Sequence, residues 1–125
     1  MKKPKVAVIG GGQMGRALVG GLLVSGVATA ESVTVVDPNP DSLAWWNDQY
    51  AGVETTDQVG DWINQRQIVL LAVKPHLIPV VASQISEIAK EDKLVVSIAA
   101  GVSLESLCEK LGHQRVIRVM PNTPS

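Results

Sequence analysis

The segment Lys5-Val-Ala-Val-Ile-Gly-Gly-Gly-Gln-Met-Gly15 restricts the fold more tightly than any other part of the chain. A short β-branched run leads without a spacer into Gly10, Gly12 and Gly15. A helical pattern follows, with Met14, Leu18 and Leu22 four residues apart. The order is strand, glycine turn, helix. The first amides of such a helix have no acceptor inside it and are left to face outward as donors. In this pattern Gly10 permits the tight turn, Gly12 leaves the main chain open to close approach, and Gly15 lets helix and strand pack together. Those roles describe a cradle for a dinucleotide pyrophosphate at a helix N-terminus.

The remainder alternates strand and helix signals. Strands are expected at Lys5–Ile9, Ser32–Asp37, Val53–Thr55, Ile68–Val73, Leu94–Ile98 and Arg115–Met120. Helices are expected at Gln13–Ser25 with Gly26 as its stop, and after Asn39 as N-cap with Pro40 at the first position. That second helix carries Leu43, Trp46 and Tyr50. A brief helix capped by Thr56 or Asp57 should hold Val59, Trp62 and Ile63. Two more are expected over Leu77–Ala89, with Pro79 in its first turn, and from the N-cap Ser103 through Leu111. Continuous apolar strands separated by helices imply an α/β fold with a parallel sheet covered on both faces. Six strands fit the doubly wound, Rossmann-type order 3-2-1-4-5-6 in a single domain over residues 1–125.

Composition narrows the function classes. A chain of 125 residues supports one core, and a 46% hydrophobic content suffices to build it. A formal net charge of −1 argues against a nucleic-acid surface or a polybasic membrane anchor. The apolar run Val6–Ile9 is too short for a signal peptide, and no stretch reaches membrane-spanning length. Cys108 is the sole cysteine, which excludes an internal disulfide and suits a cytoplasmic setting. Cys108 reads as a buried thiol between Leu107 and Leu111. His76 and His113 lack partners at metal-ligand spacing, so no metal site is expected. Trp45 and Trp46 cannot both face the core from one helix.

Several residues carry the chemistry. Asp37 lies 22 residues beyond Gly15 at the end of the second strand. A carboxylate there can accept from both hydroxyls of an adenosine ribose and would repel a 2′-phosphate. No Arg or Lys lies between Asp37 and Asp57, so the local chemistry leans toward NADH over NADPH. The alternative is a turn residue before Pro38. Ala72, Val73, Lys74 and Pro75 leave the fourth strand at the crevice edge, with the backbone as the main candidate for contact. Ala99-Ala100-Gly101 offers small residues after the fifth strand. Pro121-Asn122-Thr123-Pro124 displays an amide and a hydroxyl on a stiff loop.

Four segments in order resemble the N-terminal domain of pyrroline-5-carboxylate reductases: Val8–Gly15, Leu71–His76, Val95–Val102 and Arg115–Pro124. The resemblance implies NAD(P)H-dependent reduction of the C=N bond of 1-pyrroline-5-carboxylate to L-proline. It places Ile9, Gly10, Gly11, Gly12, Gln13 and Met14 on the pyrophosphate and the Asp37 region on the adenosine ribose. Val73, Lys74 and Ala99 or Ala100 fall along the nicotinamide, with Asn122 and Thr123 at the border of the reaction site. It further implies a C-terminal helical domain, beyond this chain, that forms a homo-oligomer and supplies much of the imino-acid pocket. Family members commonly carry a cofactor-contacting asparagine near the third helix start, where this chain reads Thr56-Asp57-Gln58-Val59. Rival readings are another reductase with the same opening, such as a β-hydroxyacid dehydrogenase or a deazaflavin-dependent NADP reductase, and a nucleotide-binding sensor module without catalysis.

Overall fold

The central runs Val6–Ile9, Val33–Val36 and 69–71 are short and buried on both faces, so they must be sandwiched between helical layers. The computed structural model describes residues 4–89, 93–97 and 115–118. Six parallel strands form one sheet: β1 Val6–Ile9, β2 Val33–Val36, β3 Glu54–Thr56, β4 Ile68–Leu71, β5 Leu94–Ser97 and β6 Arg115–Arg118. Their spatial order is β3-β2-β1-β4-β5-β6, the doubly wound order expected from the alternation of elements. Val6 registers with Val33 on one side and Ile68 on the other, so β1 lies at the centre.

Alternation along β1 divides the core. Val6 and Val8 pack with Val19, Val33, Val35 and Trp46, while Ala7 and Ile9 pack with Ile63, Leu71, Ile78 and Ile85. Helices α1 Gln13–Ser25 and α2 Pro40–Gln49 cover the first face, and α3 Ile78–Ile88 covers the second. Gly26 ends α1 in the left-handed region at φ 79°, its N–H reaching the Leu23 carbonyl. Asn39 caps α2, its side chain accepting from the Asp41 amide at 2.9 Å. Pro79 is accommodated in the first turn of α3.

The structure departs from expectation between β3 and β4. No helix starts at Thr56 or Asp57. A 3-10 turn over Asp61–Gln65 follows Gly60, whose extended backbone delays the turn. Ile63 is buried as expected, but Val59 lies outside the turn and in a cleft. Pro75–Leu77 forms a separate 3-10 turn ahead of α3; β1, β2 and β4 are one or two residues shorter than the expected runs, and β3 is shifted by one residue. The expected helix from Ser103 through Leu111, with Cys108, lies outside the described residues.

Candidate functional site

Strand order reverses between β1 and β4, and the chain leaving those two strands diverges there to opposite faces. The Ala72 amide donates to the Ile9 carbonyl at 2.8 Å, so the two exits stay bonded just past the strand ends. Gly10 occupies the gap at φ 106°. A Cβ at Gly10 would stand 2.7 Å from the Ala72 oxygen, so both the backbone angle and the space demand glycine. A Cβ at Gly15 would collide with the Gly10 carbonyl oxygen. A Cβ at Gly12 would meet nothing within 4 Å. Gly12 therefore borders open space at the mouth of α1, and no side chain caps that helix.

This open space continues into a cleft of about 740 Å³. Ile9, Gly10, Gly12, Asp37, Ala72, Val73 and Lys74 all line it, so seven of the residues singled out by sequence meet in one place. Gly11 and Gly15 are buried beneath it, and Gln13 and Met14 are exposed at the start of α1. Pro75 is exposed and does not line the cleft. Ala99, Ala100, Asn122 and Thr123 lie outside the described residues.

Asp37 fills the turn role that its sequence position suggested and also anchors the glycine turn. Its Oδ1 accepts from the Asn39 amide at 2.9 Å, which is the turn role. Its Oδ2 accepts from the Gly11 amide at 3.0 Å, which ties it to the glycine turn. Each carboxylate oxygen has two acceptor positions, so both retain one, on a residue that lines the cleft.

Sequence reasoning missed the residues that hold the turn from beneath. Ser42 Oγ and Trp46 Nε1 each donate to the Gly11 carbonyl at 3.0 Å, and Arg16 Nε does so at 3.3 Å. The Arg16 guanidinium also stacks over the Trp45 ring at 3.9 Å, so Trp46 takes the core and Trp45 a cationic cover. The available signal was the four-residue spacing of Ser42 and Trp46, which puts two donors on the buried face of α2. Also missed were Asp57, Gln58 and Val59, which line the cleft from the loop after β3, and His76, which lines it from the 3-10 turn after Lys74. Lys74 lines the same cleft as Asp37, although the sequence between Asp37 and Asp57 holds no basic residue.

The model of the family described as NADP oxidoreductase, coenzyme F420-dependent, matches residues 5–101. The chain belongs to this family. It is 42% identical over 122 residues to a pyrroline-5-carboxylate reductase of Escherichia coli, a match spanning 97% of this chain and 45% of that protein. Among solved structures it resembles a pyrroline-5-carboxylate reductase from Coxiella burnetii, with a TM-score of 0.87 and 34% identity over 98% of this chain and 46% of that one. It also resembles the Plasmodium falciparum pyrroline carboxylate reductase with NADP bound, with a TM-score of 0.77 and 26% identity over 99% of this chain and 44% of that one. The chain thus spans a little under half the length of these relatives. As a family member it carries a dinucleotide-type α/β fold. Among the described residues no helix is long and apolar enough to cross a membrane.

Proposed function

We propose that this chain is the cofactor-binding part of a reductase that converts 1-pyrroline-5-carboxylate to L-proline with NAD(P)H. The likeness to the Escherichia coli reductase, 42% identity over 97% of this chain, carries the reading. The residues present fit the cofactor. The exposed Gly12 and the uncapped start of α1 offer main-chain donors for a diphosphate. Asp37 has acceptor capacity left for ribose hydroxyls, and Ala72, Val73 and Lys74 would border the nicotinamide half. When bound, the cofactor supplies a hydride to the C=N carbon, and the ring nitrogen carries the proton of the iminium form. This chain's residues hold and orient the dinucleotide so that its reactive face is presented at the β1–β4 crevice.

The share of the relatives that this chain spans supports a further part of the reading. A second, helical portion would complete the imino-acid pocket and form the homo-oligomer. The 125 residues alone should therefore bind dinucleotide and turn over slowly or not at all. Steady-state NADH oxidation with 1-pyrroline-5-carboxylate tests this directly; turnover at the rate of a complete reductase would refute it. The family's own description keeps a deazaflavin-dependent NADP reductase as a second reading. Oxidation of NADPH by the deazaflavin, without any reaction of the imine, would favour that one.

The cofactor preference follows from Asp37. A carboxylate at that place repels a 2′-phosphate, so NADH should bind more tightly than NADPH. Titrating both against the chain and against Asp37→Ser should show the NADH preference shrinking in the variant. An unchanged ratio would reduce Asp37 to its turn and loop-anchoring roles.

A further inference from the structure

The Gly11 carbonyl oxygen collects three donors, from Ser42, Trp46 and Arg16. A carbonyl oxygen has two lone pairs, so one donor exceeds what satisfying the acceptor requires. The donors come from two helices. Ser42 and Trp46 are one turn apart on α2, with Trp46 fully buried, and Arg16 extends from α1. Space enforces the same contact, because a Cβ at Gly11 would lie 2.7 Å from Trp46 Nε1 and 3.0 Å from Ser42 Oγ.

The consequence lies on the other side of the peptide. Among the described residues no peptide bond is cis, so the Gly12 N–H points away from the Gly11 carbonyl within one planar unit. Drawing the oxygen inward against α2 aims that N–H outward, at a residue that is exposed and borders open space. Hydrogen bonds accepted by the oxygen also polarise the amide and strengthen its N–H as a donor. We infer that Ser42 and Trp46 are positioning residues of the dinucleotide site, which aim and polarise the Gly12 amide for an anionic diphosphate. The inference rests on the cofactor reading proposed above. The Gly11 N–H meanwhile holds Asp37 Oδ2, so one glycine couples the phosphate turn to the ribose carboxylate.

Ser42→Ala and Trp46→Phe test this, each removing one donor. Calorimetric titration of ADP-ribose and NADH should show each variant binding about fivefold more weakly, the worth of one modest hydrogen bond. Adenosine, which lacks the diphosphate, should compete within twofold of its original strength. In the ligand-free protein the Gly12 amide proton resonance should move upfield in Ser42→Ala. If Trp46→Phe does not fold, Ser42→Ala, which deletes a hydroxyl and adds nothing, decides alone. An unmoved Gly12 resonance with unchanged ADP-ribose affinity overturns the inference while leaving the cofactor reading standing. Equal weakening of adenosine and ADP-ribose overturns it too, by exposing a merely structural role. Failure of the unaltered protein to bind any dinucleotide overturns both readings.

Discussion

At the scale of single residues, the glycines at positions 12 and 15 do opposite jobs despite identical chemistry. Gly15 is buried against the Gly10 carbonyl, and a methyl there has no room. Gly15→Ala should cost about 1–3 kcal/mol through overpacking, read as a lower urea midpoint with the slope unchanged. Gly12 has open space in front of it and an ordinary φ of −78°, so alanine fits the fold. Gly12→Ala should leave the thermal midpoint within a degree or so, yet weaken NADH binding by about tenfold as the methyl stands in the path of the diphosphate. A stability loss in Gly12→Ala with intact binding would reverse the assignment of the two positions. The glycine pattern and Asp37 were legible because each is a local rule of turn chemistry. The partners of Gly11 were not, since a carbonyl's donors come from wherever the fold delivers them.

At the scale of elements, α2 joins the cap to the site. Asn39 caps it and also donates its own amide to Asp37 Oδ1, so the start of the helix and the carboxylate share a turn. Asn39→Ala removes the cap side chain and leaves that amide in place. It should destabilise the protein by about 1 kcal/mol, with a fall in thermal midpoint of roughly 4 °C and little change in NADH affinity. A large affinity loss would mean that the cap, rather than the backbone, orders Asp37. Sequence rules located α1, α2 and the strands to within a residue or two because caps and apolar runs are contiguous signals. They failed after β3. Thr56 and Asp57 resemble caps, but Gly60 defers the turn to Asp61, and the freed residues Asp57–Val59 become a wall of the cleft. Propensity cannot foresee that, because Val59 packs against a core cluster built from β1, β4 and α3, which lie far from it in sequence.

At the scale of the whole molecule, the cleft exists because β1 and β4 are neighbours that send their chains to opposite faces of the sheet. A ligand held there contacts exits from β1, β2, β3 and β4 at once, so binding should stabilise the entire fold. With NADH at a hundredfold over its dissociation constant, linkage adds about 2.7 kcal/mol, and the thermal midpoint should rise by roughly 10 °C. No rise at NADH or NADPH concentrations far above the expected dissociation constant would show that the folded chain binds neither dinucleotide. The amino-acid sequence by itself determined the α/β class, the strand order and the glycine turn, because these follow from contiguous patterns of burial and backbone freedom. Only the tertiary structure decided which side chains surround that turn. Ser42, Trp46 and Arg16 meet at Gly11, and Lys74 and Asp57 share a cleft with Asp37, because packing two helical layers on a parallel sheet sets distances that sequence separation does not encode.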